Sequence, residues 1–352
     1  MNTLSIVQLS VSWFFIIAVL LPFVRNDYWV FRILEYPRYQ KFVICSLVLF
    51  TYAYNNELDT TWGLITFVLL VLCVLYLAYK IFPYTWLAKK EMKRITGGDP
   101  QNQVKIFSAN VYQDNQRYQK LIAQIRRWDP DVIMLLETDR TWEREMDILL
   151  QQYPHYLKEP LENTYGLLFY SRFPITEGRI LYLVENDVPS IEAILQLPSG
   201  HLVKVWGLHP KPPVPGEDSR STAKDKEIMK VALKVRKEKL PAIVMGDFND
   251  VAWSHITELF RKTSGILDPR IGRGFYSTFS ANYWFLRFPL DYVFCSAHFG
   301  VIKMKRLKHN GSDHFPMFSH FEFQPALKDQ QEKPEADLEE LEEASEKATQ
   351  DV

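Results

Sequence analysis

Cysteine is scarce in this chain: Cys45, Cys73 and Cys295 are the only three in 352 residues. They are too few and too scattered for a disulfide framework or a cysteine-built zinc site. Cys45 and Cys73 lie in apolar runs and read as small buried hydrophobes. An excess of charge of one sign is also missing, with 41 Lys and Arg against 42 Asp and Glu. A protein that grips nucleic acid through its phosphates usually shows a basic face. Residues 99–325 hold only 29 basic against 27 acidic side chains, and the lysines between 224 and 239 alternate with Asp225, Glu227 and Glu238, as on a solvated helix face. The overall balance conceals three unlike regions. Residues 1–98 carry 9 basic against 5 acidic groups, and residues 326–352 carry 3 against 10.

Long apolar runs are plentiful at the N-terminus. "LSIVQLSVSWFFIIAVLLPFV" (4–24) has no charged residue over about 20 positions, the length that crosses a hydrocarbon core. "WGLITFVLLVLCVLYLAYKIF" (62–82) carries only Lys80, close enough to its end to snorkel. "FVICSLVLFTYAY" (42–54) is shorter, and its strong neighbours make it a third crossing when extended over about 39–55. The first run lacks the basic start and small-residue cleavage site of a secretory signal. Residues 1–84 therefore read as a transmembrane helical region with two to three helices, and 85–101 as a linker. The loop 25–41 holds Arg25, Arg32, Arg38 and Lys41, whereas the loop 55–61 holds only Glu57 and Asp59. With three crossings, this asymmetry puts the N-terminus outside and the rest of the chain in the cytoplasm.

From about residue 102 the pattern becomes soluble α/β. Apolar strand candidates lie at 104–111, 131–138, 165–171, 202–209, 242–249 and 291–296, with helices at 117–128 and roughly 220–239. So many strands with so few helices point to a sheet-on-sheet core with helices outside. Polar residues fall at the strand ends: Asn110, Glu137, His209, Asp247, Asn249, Asp291, Asp313 and His314. Side chains there project over a sheet edge, the usual place for a site. Any one of them has a bland explanation as a turn or surface residue. Eight in succession behind apolar strands are hard to assign to chance.

The segments "SANV", "DVIMLLET", "YSRFPI", "GLHP", "VMGDFND", "LDYVF" and "GSDHFPM" resemble, in order, the motifs of the endonuclease/exonuclease/phosphatase superfamily. The resemblance covers roughly 102–324 and implies a four-layer α/β/β/α sandwich that hydrolyses phosphate esters with Mg2+, or with Mn2+. It implies Glu137 as principal metal ligand, with Asn110 beside it and Asp313 nearby. It implies Asp247 as the group that orients or deprotonates water, and Asn249 as a phosphate hydrogen-bond donor. His314 would contact the phosphate with Asp291 fixing its tautomer, and His209 would be a second phosphate-facing histidine and candidate acid. Where many relatives carry Asn or Asp, this chain has Tyr112; Asn115 is the available substitute.

Apolar runs beside a phosphate site favour a phosphorylated lipid as substrate and the bilayer as partner. "FYSTFSANYWFLRFP" (275–289) adds many aromatics and one charge just before Asp291, suiting either an interfacial loop or ordinary core. In layout the chain looks similar to membrane-anchored bacterial members with three N-terminal spans, including phosphatases of polyprenyl pyrophosphate. That likeness places the catalytic domain outside an inner membrane, against the loop-charge reading. The alternatives are a membrane-tethered nuclease acting on nucleic acid and a non-catalytic binding module of the same fold. The acidic stretch 325–352 reads as a solvated, largely disordered tail, with room for a short charged helix around 335–347.

Overall fold

The structure, a computed structural model, describes residues 3–54 and 60–352. Glu57 and Asp59, counted above as loop charge, lie outside the described residues. The N-terminal region forms α1 (Thr3–Leu20), the short α2 (Trp29–Ile33), α3 (Arg38–Tyr54) and α4 (Thr61–Ile81). Thr60 caps α4 by accepting from the Gly63 amide. Ile16, Cys45, Leu70, Cys73 and Leu77 fill the seam between α1, α3 and α4. Phe14, Leu47, Phe50, Leu64, Leu72 and Leu75 face outward. The helices containing Ser5–Phe23 and Thr61–Tyr84 are long and apolar enough to cross a membrane. The first turn of α3 differs, because Arg38 and Lys41 are turned inward. Lys41 donates to the carbonyls of Ala18 and Leu34, and Arg38 donates to that of Trp253.

The rest of the chain is built from β1 (Gln103–Asn110), α5 (Tyr118–Trp128), β2 (Val132–Leu136), α6 (Arg140–Met146), β3 (His155–Glu159), β4 (Leu167–Ser171), β5 (Ile175–Leu181), β6 (Ser190–Gln196), β7 (Leu202–Leu208), α7 (Thr222–Lys237), β8 (Ala242–Asp247), α8 (His255–Ser264), β9 (Asp291–Cys295), β10 (Phe299–Arg306), β11 (Met317–Phe323) and α9 (Leu338–Thr349). One sheet has the order β10-β11-β1-β2-β4-β3, the other β5-β6-β7-β8-β9. Met134 and Leu136 of β2 point into the core shared with the second sheet. Ile133 and Leu135 point the other way, into the layer formed with α5 and α6. A strand covered on both faces reads as a continuous apolar run rather than an alternation, which is why "VIMLL" stood out. The second sheet is covered by α7 and α8, completing the expected sandwich.

Among the strands of the described residues, only β1–β2 and β7–β8 pair in parallel, and the other ladders are antiparallel. The C-terminal ends of both parallel pairs reach the same edge of the sandwich. Asp247 and Asp291 are register partners across β8 and β9, so the antiparallel β9 begins at that edge. The turn before β11 lies there too.

Two expectations about chain organisation need correction. Residues 85–101 are not a free linker. The Ile95 amide donates to the Val301 carbonyl and the Val301 amide to the Lys93 carbonyl, Met92 is fully buried, and Glu91 pairs with Arg261. These partners are remote in sequence, so no local pattern announced them. The acidic stretch 325–352 is not a largely disordered tail, and the short charged helix given room around 335–347 is present as α9, Leu338–Thr349. Asp337 and Glu340 form a capping box for α9, and Ala344 and Ala348 are buried against α7 and α8. Glu340 pairs with Lys262, Glu343 with His255 and Lys347 with Asp225. Lys262 and His255 of the domain thus anchor two of the acids that composition alone would leave in water.

Candidate active site

The eight residues singled out from strand ends all sit at one sheet edge, around a cleft of about 250 Å³ lined by Glu137, His209, Asn249, Asp313 and His314 among others. Asn110, at the end of β1, donates through Nδ2 to Glu137 Oε1 at 2.7 Å and to Asp247 Oδ2 at 3.3 Å. One amide thereby links the two carboxylates expected on the metal side and the water side. Burial pushes the Glu137 carboxyl up to about 7, partly opposed by the Asn110 hydrogen bond and His314, while Asp313 adds to the rise. Asp247 is likewise raised by burial, with His314 opposing and Asp291 reinforcing.

His314 Nδ1 lies 2.8 Å from Asp291 Oδ2 and its Nε2 lies 3.5 Å from Asp247 Oδ2. Burial alone would lower its pKa, but the two aspartates outweigh burial and lift it to about 10. His314 therefore holds its proton more firmly than an ordinary imidazole. His209 is the opposite case: burial and the charge of His314 hold it down near 3, so it is neutral. Its Nδ1 is buried without a partner, and its ring stands 5.3 Å from that of Tyr165.

Asp247 and Asn249 do not share an extended segment as their spacing suggested. The chain turns after Asp247: the Asn249 amide donates to Asp247 Oδ1 at 2.9 Å, and Asn249 has a left-handed φ of 48°. Its side-chain Nδ2 donates to the Pro210 carbonyl, leaving one N–H for a ligand. Gly246 makes this turn possible. Its φ is 138°, and a Cβ there would stand 1.9 Å from the Leu208 carbonyl oxygen. Asp313 faces the cleft but, among the described residues, has no hydrogen bond to Glu137 or Asn110. Asn115 does not replace the residue missing at Tyr112. Its amide donates to the Val111 carbonyl, and its oxygen accepts from the Arg117 amide.

Several contributors escaped the sequence. Ser312 Oγ donates to the Asn110 carbonyl and accepts from the His314 amide, clamping the His314 turn to β1. Thr278 Oγ1 accepts from the amide of Asp291. Tyr36, from the loop between α2 and α3, lines the cleft and donates through its hydroxyl to the Asn249 carbonyl at 2.6 Å. The Ser312 motif could have been read from "GSDH". Tyr36 lies 213 residues from Asn249, and no local signal could place it there.

Two donor sets could hold a cation. Asp247, Asp291 and His314 bring three ligand atoms within 4.8 Å of one another. Glu137 and Asp313 also line the cleft and offer hard carboxylate oxygens, the type that suits divalent metals.

A two-sheet sandwich with acids, amides and histidines gathered at the carboxyl ends of its parallel strands defines a phosphoester-hydrolase class of fold. The chain belongs to the endonuclease/exonuclease/phosphatase family, whose model matches residues 107–314. Members of that family are hydrolases acting on phosphate esters and typically use divalent metals. No curated protein matches the chain. Among solved structures, D. rerio TDP2 in complex with a single-strand DNA product aligns with a TM-score of 0.53 at 16% identity, over 62% of this chain and 98% of that one. The human Nocturnin catalytic domain with a bound sulfate aligns at 0.52 and 17% identity, over 68% and 99%. A Bacteroides thetaiotaomicron mannosyl-6-phosphatase aligns at 0.51 and 21%, over 62% and 100%. At such identities the likeness speaks for the fold.

Proposed function

We propose that the protein is a membrane-anchored, metal-dependent phosphoesterase whose substrate is a phosphorylated lipid. The observation that carries this reading is Tyr36: the loop joining the apolar helices forms a wall of the same cleft that holds Glu137, Asp247 and His314. The outward faces of α1, α3 and α4 expose Phe14, Leu47, Phe50 and Leu72, a larger apolar surface than a soluble protein tolerates. In a bilayer that surface is satisfied, and the cleft stands near the headgroups.

Glu137 and Asp313 fit a divalent cation such as Mg2+ better than the His314 cluster does, because a protonated imidazole has no lone pair to give. Ionising Glu137 in its buried setting is unfavourable without a cation beside it. The metal, when bound, neutralises the phosphate and the leaving oxygen. Asp247 accepts the proton of the attacking water, and Asn110 holds that carboxylate in place. His314 donates from Nε2 to a non-bridging phosphate oxygen while Asp291 keeps Nδ1 protonated. His209, being neutral, serves as a hydrogen-bond donor to phosphate; as an acid it would first have to gain a proton from the substrate.

Nucleic acid is the weaker substrate reading, since among the described residues no lysine or arginine lines the cleft and Glu217 does. A non-catalytic module would not preserve the whole constellation. The direction of the catalytic domain across the membrane no longer rests on loop charge. Arg32 pairs with Asp225 and Arg38 bonds the Trp253 carbonyl, so these two cations serve docking, while Lys41 bonds carbonyls within the bundle.

The test is release of inorganic phosphate from a polyprenyl pyrophosphate in detergent micelles, by the full-length protein with and without Mg2+. Release that requires Mg2+ and disappears in His314→Ala supports the reading. Activity on DNA with none on the lipid would refute it.

A further inference from the structure

A second cavity of about 510 Å³ lies between the start of α3 and the aromatic segment 275–287. It shares no lining residue with the catalytic cleft. One side is Tyr39, Val43 and Ile44 of α3, and the other is Phe275, Trp284 and Phe285. Gln40 donates to the Phe285 carbonyl, tying the two sides together. Trp284 is 79% exposed, an unusual fate for an indole unless something covers it.

Arg287 and Arg306 close one end of this groove. Both guanidinium groups stack on the Phe315 ring, at 5.1 Å and 4.4 Å from its centroid. Arg306 donates to the Ser277 carbonyl, and Arg287 Nε is buried without a partner. The charged group that bears on Arg306 is Arg287 itself, which with burial lowers the Arg306 pKa. Two neighbouring cations with no carboxylate between them are an unfinished arrangement. A phosphate oxygen pair would complete it through the planar guanidinium forks.

We propose that this groove binds a phosphate-bearing membrane lipid, with its headgroup on Arg287 and Arg306 and its chain along α3, Trp284 and Phe285. The apolar wall belongs to a helix of the bundle, so a chain can enter from the bilayer; the inference rests on the membrane placement proposed above but not on any substrate. The occupant is a bound lipid, not the one hydrolysed.

The experiment is tryptophan quenching in the full-length protein, in zwitterionic micelles with EDTA so that no turnover occurs. The probe is phosphatidic acid with brominated acyl chains, since bromine quenches only indoles it touches and Trp253 and Trp284 line the groove. The expected result is saturable quenching whose midpoint rises about tenfold in Arg287→Gln/Arg306→Gln, in line with loss of charge-assisted hydrogen bonds. Arg287→Lys/Arg306→Lys should recover only part of that affinity, since charge returns without the guanidinium fork, and Trp284→Phe should cut the amplitude without moving the midpoint. Brominated phosphatidylcholine should bind about tenfold more weakly. Equal midpoints for the two lipids, an unchanged midpoint in the glutamine variant, or displacement by equimolar inorganic phosphate would overturn the proposal. Loss of quenching in His314→Ala alone would place the lipid in the catalytic cleft and also overturn it. Hydrolysis is not read here, so failure of the lipid-phosphatase reading leaves this outcome unaffected.

Discussion

In the sandwich, Phe107, Met134 and Met245 lie wholly inside, and one set of buried polar groups, Asn110, Asp247, Asp291 and His314, gathers at one sheet edge. In the helical bundle apolar side chains fill the seam, as at Ile16, Leu70 and Leu77, and also cover the outside. Phe14, Leu47 and Phe50 face outward, while Arg38 and Lys41 are buried. Each pattern suits a different solvent, water for the first and hydrocarbon for the second. Where the two regions meet, Ile81 and Tyr84 at the end of α4 join the same core as Trp253 and Phe260. The bundle is therefore part of the architecture around the cleft and more than a tether.

The sharpest way to separate the two regions is to remove chemistry from one without disturbing the other. Asp247→Asn should lower kcat by about 10²–10⁴-fold, as loss of a general base does, with an unchanged circular dichroism spectrum. Next in size is the junction. Lys224 is buried between Asp250 and Asp225, and Asp225 also pairs with Arg32 of the bundle. Lys224→Met should cost about 3–5 kcal/mol of stability by stranding buried carboxylates, read as a fall in Tm. A variant as stable as the parent would show that the junction carries no load.

The pH dependence tests the cleft alone. Glu137 and Asp247 must be ionised, and both are raised, Glu137 to about 7. Activity should climb as pH passes about 7, and fall as His314 loses its proton near 10. Stability moves in a related way. Glu137 has a folded value above its ordinary 4.5, so the folded state holds the extra proton. Its contribution is complete below 4.5 and is lost as pH rises through about 7. Glu137→Gln should therefore raise the metal-free Tm more at pH 8 than at pH 5.5, and added Mg2+ should narrow that gap. A flat difference across this range would contradict the buried-carboxyl account. The smallest effect belongs to the link between regions: Tyr36→Phe removes one hydrogen bond to the Asn249 carbonyl, worth about 1 kcal/mol. It should raise KM several-fold with kcat little changed.

Much of this molecule is legible from local pattern. β2 and β8 are apolar because both faces are covered, and the glycine before Asp247 marks a backbone that no other residue fits. The eight strand-end polar residues do converge on one edge, because strands of known direction deliver their ends there. What was illegible has a common cause. The order of residues 85–101 and of α9 depends on partners far away in the chain, such as Val301 for Ile95 and Lys262 for Glu340. Composition alone marked one as a spacer and the other as solvated.

The residues themselves determined the class of chemistry, since carboxylates, amides and imidazoles behind apolar strands carry their meaning in their order. They also determined which helices could enter a bilayer, a property of length and apolarity. Tertiary structure alone decided the protonation of those groups, because His314 and His209 have the same side chain. One lies between two aspartates and is charged, while the other is buried beside that charge and is neutral. Tertiary structure alone also brought Tyr36 to the cleft and left Arg287 and Arg306 facing each other, since charge balance in a fold is set by neighbours in space.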